Sequence, residues 1–165
     1  MSKEHSLMLD IIVNYHPDFV QSDDLQTFGI SKPHIFKVEH LIEECMAAVG
    51  PYTFTDGAHE DFSDGTECKT ASTWYVSANR EAGEISNVVT AGGSKKAGDI
   101  RCVIYIDYTG DLKYYYLPKS FWEKNITYHN SSNIGKIKFS YNTITGSIDK
   151  FVGYECKDFV DLCNK

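Results

Sequence analysis

One short segment, residues 59–70, concentrates the side chains that could do chemistry. It contains Asp61, then an Asp-Gly turn signal, and then Glu67 and Lys69 at the start of an apparent strand. Side chains alternate along a strand, so Glu67 and Lys69 share one face. Two carboxylates can hold one divalent cation through oxygen ligands, and a lysine beside them can orient water and stabilise charge on a phosphate. Residues of these types at this spacing could therefore support metal-assisted chemistry on a phosphate.

The arrangement Asp61…Glu67-Cys68-Lys69 resembles the D…(D/E)-x-K signature of the restriction-endonuclease-like PD-(D/E)XK nuclease superfamily. The form D-F-x-x-G-x-E-x-K-T is similar to the branch that holds the methyl-directed mismatch-repair endonuclease and its type II restriction-enzyme relatives. The resemblance implies hydrolysis of DNA with Mg²⁺, for which Mn²⁺ can substitute. It also implies that Asp61, Glu67 and the backbone carbonyl of Cys68 hold the metal, and that Lys69 positions the attacking water.

Two features of the segment depart from that signature. Glu60 stands where the superfamily has a proline, and the spacing from Asp61 to Glu67 is tight. Asp56 and Asp64 therefore remain alternatives to Asp61 as the metal ligand. A different interpretation of the whole segment is a solvated hairpin with a surface Glu–Lys pair, which contributes little stability.

Members of this superfamily often place a further glutamate on the helix that precedes the sheet. Apolar spacing predicts such a helix from about residue 31 to Val49. Glu39 lies at the edge of its apolar stripe, Glu43 lies farther round, and Glu44 points nearly opposite. We expect Glu39, and after it Glu43, as the additional metal ligand, and a solvated helix face is the alternative for each.

Four other residues are candidates for contacts with DNA. Lys95 and Lys96 stand in a glycine-rich loop that could grip phosphates, and the loop lacks the spacing of a nucleotide-binding P-loop, so we expect no nucleotide cofactor. Arg101, expected to point outward from the next strand, could read a guanine edge or pair with Asp99. Asn130, in a polar stretch, could read base edges. Ordinary surface loops are the alternative for the lysines and Asn130.

The elements that must position these residues follow from hydrophobic periodicity and turn signals. Two helices are predicted first, then strands, with the strongest hairpin signal over residues 99–117. This order predicts a single α/β (α+β) domain over residues 1–165, built on a restriction-endonuclease-like mixed sheet flanked by helices. The predicted helices cover residues 6–20, 31–49, 118–122 and 155–163, and the predicted strands cover 52–55, 66–76, 85–90, 99–108, 111–117 and 135–142.

Composition excludes several classes of protein. The 165 residues carry a net charge of -7, which argues against a histone-like, non-specific nucleic-acid binder. Residues 1–93 hold 5 Lys and Arg against 15 Asp and Glu, whereas residues 94–165 hold 11 against 8. No run approaches the ~20 apolar residues of a membrane helix, and no signal peptide is visible, so we expect a cytoplasmic protein without membrane contact. The 5 cysteines show no C-x2-C pair and are expected to be reduced, structural thiols.

The leading hypothesis is a Mg²⁺-dependent endonuclease that cuts double-stranded DNA. Sequence-specific cleavage by a homodimer, in the manner of a type II restriction enzyme, comes first, and a repair or phage-encoded nuclease comes second. The alternative is a non-catalytic α/β binding or adaptor domain in which Glu67 and Lys69 form a surface pair. The net charge of -7 and a content of only two arginines favour that alternative.

Overall fold

The computed structural model describes residues 2–18, 33–55, 61–89, 98–128 and 134–165. Helices and strands alternate irregularly along these ranges, with most of the strands in the second half. In chain order the elements are α1 (Lys3–Tyr15), α2 (Pro33–Val49), β1 (Glu67–Ser77), β2 (Arg80–Val89), β3 (Ile100–Ile106), β4 (Asp111–Leu117), α3 (Lys119–Trp122), β5 (Ile126–Tyr128), β6 (Ile134–Asn142), a 3-10 helix (Asp149–Tyr154), β7 (Glu155–Cys156) and α4 (Phe159–Cys163).

Helix α1 begins and ends earlier than the predicted range of residues 6–20. The hydroxyl of Ser2 accepts a hydrogen bond from the N–H of His5 (3.1 Å), which caps the first turn on polar residues that apolar periodicity does not mark. At the other end, Pro17 disfavours helical backbone at His16, whose ψ is 128°. Both ends are therefore set by local backbone chemistry.

One seven-stranded mixed sheet, in the order β5-β6-β2-β1-β3-β4-β7, forms the centre of the fold. Strand β1 lies in its middle and pairs antiparallel with β2 and parallel with β3. Strands β3 and β4 form the predicted hairpin, in whose turn Gly110 has a φ of 70° that glycine adopts without strain. The predicted α+β class, a mixed sheet flanked by helices in a single domain, is confirmed.

Hydrophobic side chains cover both faces of this sheet. On one face, α1 and α2 bury Ile12 and Ile42 in a core that includes Cys68 of β1 and also residues of α4. On the opposite face, α3 and the 3-10 helix place Trp122 and Phe151 in a second core. Strand β1 therefore lies between the first core, which contains α2, and the second core. The face on which a β1 side chain lies determines which neighbouring helix it can reach.

Three further predicted elements differ from the structure. The predicted strand over residues 52–55 is a single bridge between Phe54 and Phe62. Strand β2 begins earlier than predicted, at Arg80, because its pairing with β6 continues beyond the apolar run. The predicted helix over residues 155–163 is interrupted, since β7 pairs with β4 and only α4 is helical.

Two further expectations concern the state of the cysteines and the presence of a membrane helix. All five cysteines are buried and none forms a disulfide. Burial raises the pKa of Cys45 to about 12, so this thiol stays protonated and unreactive at neutral pH. Within the ranges that the structure describes, no helix is long and apolar enough to cross a membrane.

Candidate active site

The candidate site lies where β1 and β2 stop pairing. The β1–β2 ladder covers Thr73–Ser77, whereas the β1–β3 ladder covers Glu67–Ser72. The N–H of Glu67 donates to the carbonyl of Asp99 on the β3 side (2.9 Å), so the N–H of the next residue, Cys68, points the other way. We call the β2-facing backbone of residues 67–72 the open edge of β1, because no strand in the described part of the chain pairs with it.

Two carboxylates take the place of the missing strand along the open edge. Asp61 Oδ2 accepts a hydrogen bond from the N–H of Cys68 (2.9 Å). Two residues farther on, the backbone N–H of Thr70 faces the carboxylate of Glu39 and helps to lower its pKa against the larger effect of burial, and α2 holds this carboxylate over the same gap. Backbone N–H groups removed from water require an acceptor, and these acidic side chains supply it. The structure thus brings Asp61 and Glu39 to the strand that carries Glu67.

Lys69 reaches across the gap to β2. Its Nζ donates a hydrogen bond to the main-chain carbonyl of Asn87 (3.1 Å). Asn87 has a φ of 58° and lies where the β2–β6 register shifts, in a β-bulge of the kind that occurs beside functional sites. An ammonium group has three donors, so this bond leaves two N–H groups of Lys69 for other partners.

The carboxylates of this region crowd one another. The pKa of Glu43 is raised to about 8, first by burial and then by neighbouring negative charges. Those neighbours are Asp61, Glu39 and Glu67. Burial also raises the pKa of Glu39 and Asp61, although the positive charge of Lys69 opposes the shift at both. Acidic groups arranged in this way either hold protons or bind a cation.

The donor chemistry at the open edge fits a hard divalent cation. Asp61, Glu67 and the carbonyl of Cys68 are oxygen ligands, which Mg²⁺ prefers, and a cation would relieve the repulsion that raises the pKa of Glu43. Among the described residues, no three His, Cys, Asp or Glu side chains already surround a common point as a metal-holding group. A cation would therefore have to draw the carboxylates together as it binds.

His40 belongs to this region and was not singled out from the sequence. Its Nε2 lies 3.0 Å from Glu44 Oε1, and its Nδ1 lies 3.7 Å from Glu43 Oε2. The ring packs edge-on against Phe54, and its charge lowers the pKa of Asp61 against the larger effect of burial. The i,i+3 and i,i+4 spacing of a histidine from two glutamates on one helix was the available signal.

Asp64, one of the alternative metal ligands, closes the turn before β1. Its Oδ1 accepts hydrogen bonds from the N–H and the hydroxyl of Thr66 (3.1 and 2.6 Å), and its Oδ2 pairs with Nη2 of Arg101 (3.1 Å). Although burial opposes it, these hydrogen bonds lower the pKa of Asp64. Asp64 is thereby committed to the turn, so that of these two described aspartates Asp61 is the one that contacts the open edge.

The prediction that Arg101 points outward to DNA is wrong. Its side chain is only 1% exposed, with the guanidinium 4.0 Å from the ring centre of Tyr52. Its Nε donates to the carbonyl of Leu162 (3.2 Å) and its Nη2 to the carbonyl of Lys165 (2.9 Å). The suggested pairing with Asp99 is also wrong, because Asp99 accepts hydrogen bonds from β4 and from the start of α3 instead. Arg101 therefore joins β3 to the C-terminal helix.

The remaining sequence candidates lie outside the described residues. These are the basic pair Lys95 and Lys96, the amide Asn130 and the alternative ligand Asp56. The structure therefore brings together Asp61, Lys69 and Glu39 from the original set, on the strand that carries Glu67. The functional argument rests on the contacts of these three residues and on the charge of Glu67 near Glu43.

No protein-family model, no curated protein and no solved structure matches this chain. The functional argument accordingly rests on the geometry and charge of the site. The similarity of the segment around Glu67 to the nuclease signature stays a prediction.

Proposed function

We propose that this chain is a Mg²⁺-dependent endonuclease that hydrolyses phosphodiester bonds of DNA, with Mn²⁺ able to substitute for Mg²⁺. The observation that supports the proposal is the meeting of Asp61, Lys69 and Glu39 at the open edge of β1, the strand that also carries Glu67. The proposed substrate is double-stranded DNA, cut at specific sequences by a cytoplasmic homodimer whose two-fold symmetry matches that of the site. A repair or phage role is the second form of this proposal.

Three groups of the chain would hold the metal. Asp61 has committed Oδ2 to the N–H of Cys68, so Oδ1 is the oxygen that would serve as ligand. A residue of a β-strand presents its C=O on the same edge as its N–H, so the carbonyl of Cys68 also points into the gap. Glu67 supplies the third oxygen ligand from the strand itself. Bound Mg²⁺ would supply polarisation of a phosphate oxygen and a more acidic water.

Lys69 is the residue that would position the attacking water. Its bond to the Asn87 carbonyl holds the ammonium at the gap, and the two remaining N–H groups can donate to a water and to a phosphate oxygen. An ammonium fixed in this way stabilises the negative charge that grows on the phosphate as the new P–O bond forms. Loss of this group should therefore lower the rate of hydrolysis more than it lowers stability.

Cleavage of unmodified plasmid and phage DNA tests the proposal, with Mg²⁺ and with EDTA, for the wild type and for Lys69→Ala. The matched control is Lys113→Ala, which removes a lysine that pairs with Glu155 (2.8 Å) between β4 and β7. We expect discrete Mg²⁺-dependent bands from the wild type and the control and none from Lys69→Ala. A Mg²⁺-dependent smear lost in Lys69→Ala would support a nuclease without sequence specificity. Cleavage that persists in EDTA or in Lys69→Ala would contradict the proposed site.

A non-catalytic binding or adaptor domain is the second candidate. The hydrogen bond from Lys69 to Asn87 favours it, because that bond gives the lysine a purely structural partner, and so does the net charge of -7. Calorimetric titration with Mg²⁺ separates the two candidates. The nuclease should bind Mg²⁺ and lose affinity in Glu67→Ala, whereas the adaptor should not bind it. Uncut DNA in every lane, including modified and single-stranded substrates, would also favour the adaptor.

A further inference from the structure

A cavity of about 610 Å³ lies over strands β1, β2 and β6, away from the open edge. It is open to solvent along one side of the sheet. Its lining includes four cationic side chains, Arg80, Lys136, Lys138 and Lys150, against the carboxylates of Glu84 and Asp149. In a chain whose net charge is -7, this excess of positive charge on one surface favours an anionic partner.

The lining of this basic cavity includes an aromatic side chain, Trp74. Trp74 on β1 is directly opposite Ala82 on β2, which is in turn opposite Ser140 on β6. Side chains directly opposite one another in a sheet share a face, so the indole lies next to two small residues. Trp74 is 48% exposed, although a tryptophan gains stability from burial. A planar, half-exposed aromatic beside cations is the combination on which unpaired bases of a nucleic-acid strand stack.

The position of Trp74 relates the basic cavity to the proposed active site. Trp74 and Cys68 are an even number of residues apart on β1, so their side chains point to the same face. Cys68 lies under α2, so the cavity occupies the part of that face that α2 leaves uncovered. With a rise of about 3.3 Å per residue, Trp74 and Lys69 lie roughly 17 Å apart along β1. An odd number of residues separates them, so Lys69 leaves the opposite face of β1 and reaches the gap through its bond to the Asn87 carbonyl. DNA that contacts both the cavity and Lys69 therefore passes over the open edge, where β1 and β2 are unpaired.

We propose that the basic cavity binds DNA to one side of the phosphate that is cleaved, with a sugar or an unpaired base against Trp74. Arg80 and Lys138 supply the phosphate contacts in this arrangement. Arg80 donates from Nε to the Ser140 hydroxyl (3.0 Å), which leaves its terminal nitrogens for a phosphate. Lys136 contributes less, because it pairs with Glu84 (3.5 Å). This inference rests on the proposed nuclease function and extends it to the length of DNA that the protein contacts.

Binding measured apart from cleavage tests this inference. The protein is the full chain carrying Lys69→Ala, in Mg²⁺, titrated with short duplex and single-stranded DNA of random sequence. Fluorescence anisotropy of the labelled DNA gives the affinity and its dependence on salt. Tryptophan emission gives a second signal, because the chain has two tryptophans and Trp122 is fully buried with its Nε1 bonded to the Gly98 carbonyl (2.9 Å).

We expect DNA to quench the emission of Trp74, and Trp74→Phe to abolish that change. Trp74→Ala should weaken binding about 10-fold. Arg80→Ala and Lys138→Ala should each lower the slope of log affinity against log salt by about 0.9 for duplex DNA. Lys113→Ala, in the same Lys69→Ala background, should leave both affinity and slope unchanged, because Lys113 lies on β4 and does not line the cavity.

The inference is overturned if Arg80→Ala and Lys138→Ala keep the parent affinity and salt slope and the Trp74 emission does not respond to DNA. Circular dichroism of each variant identifies a folding defect, and Trp74→Phe is conservative enough to serve where Trp74→Ala fails to fold. Failure of the proposed function gives a different result. In that case Lys69→Ala cuts DNA as the wild type does, or no DNA is cut, while the cavity variants still weaken binding.

Discussion

Replacing Glu43 with glutamine removes one charge from the crowded carboxylates and preserves the shape of the side chain. In the folded chain the pKa of Glu43 is about 8, against 4.5 for an ordinary glutamate, chiefly because of burial and the charges of Asp61 and Glu39. Between these two pH values the folded state binds a proton that the unfolded state has released. Stability therefore falls as the pH rises through this window, and the loss is complete above pH ~8.

The size of the effect follows from the same pKa. A change from 4.5 to about 8 corresponds to about 5 kcal/mol at ~1.36 kcal/mol per pH unit. Glu43 is 14% exposed, so solvent screens only part of this energy. We expect Glu43→Gln to raise the free energy of unfolding by about 2 to 5 kcal/mol near pH 9 and to change it little near pH 5, where Glu43 already carries a proton.

Urea unfolding in EDTA at the two pH values measures the difference. The control is Glu123→Gln, which neutralises an exposed carboxylate after α3 and should change stability by less than about 0.5 kcal/mol at either pH. Added Mg²⁺ should stabilise the wild type near pH 9, because a bound cation neutralises the same charges. The difference in the free energy of unfolding between Glu43→Gln and the wild type should then become smaller. Equal stability of wild type and Glu43→Gln near pH 9 would show that the carboxylates do not crowd one another, and the reasoning behind the metal site would fail with it.

Three further substitutions test the framework of the site. Arg101→Met should lower the free energy of unfolding, measured with urea, by about 3 to 5 kcal/mol, because it leaves buried acceptors unpaired. A decrease below about 1 kcal/mol would contradict the packing described. Asp61→Ala should destabilise the fold by about 1 to 3 kcal/mol more than Asp61→Asn does, because only the amide keeps an acceptor for the N–H of Cys68. Equal melting temperatures of the two variants would refute that hydrogen bond. Gly98→Ala should destabilise the fold by about 1 to 3 kcal/mol or more, since its Cβ would lie 2.0 Å from the carbonyl oxygen of Gly65, and a thermal unfolding midpoint like that of the wild type would count against this contact.

Local sequence signals predict the part of the site whose residues lie close together in the sequence. The Asp-Gly turn and the strand after it place Glu67 and Lys69 correctly, and helical periodicity places Glu39 at the edge of an apolar stripe. These features depend on the backbone geometry of only a few consecutive residues. The hydrogen bond of Lys69 to Asn87 was beyond such reasoning, because it depends on a bulge in another strand.

Arg101 shows why other features could not be predicted. Alternation along β3 assigns its side chain to one face but does not say whether a later element covers that face. Helix α4, far along the chain, buries it and supplies the carbonyl of Leu162 as a partner. Strand β7 was missed for the same reason, since a two-residue strand exists only because β4 is there to pair with it.

The open edge of β1 also bears on the tendency of this chain to aggregate. A strand edge with unpaired N–H and C=O groups is a template on which another chain can add a strand. Here the carboxylate of Asp61 accepts a hydrogen bond from one of those N–H groups, and the carboxylate of Glu39 faces another and puts negative charge beside the rest. Alanine at these positions would uncover the edge as well as remove a ligand, so an inactive variant meant to remain soluble is better made with amides or at Lys69.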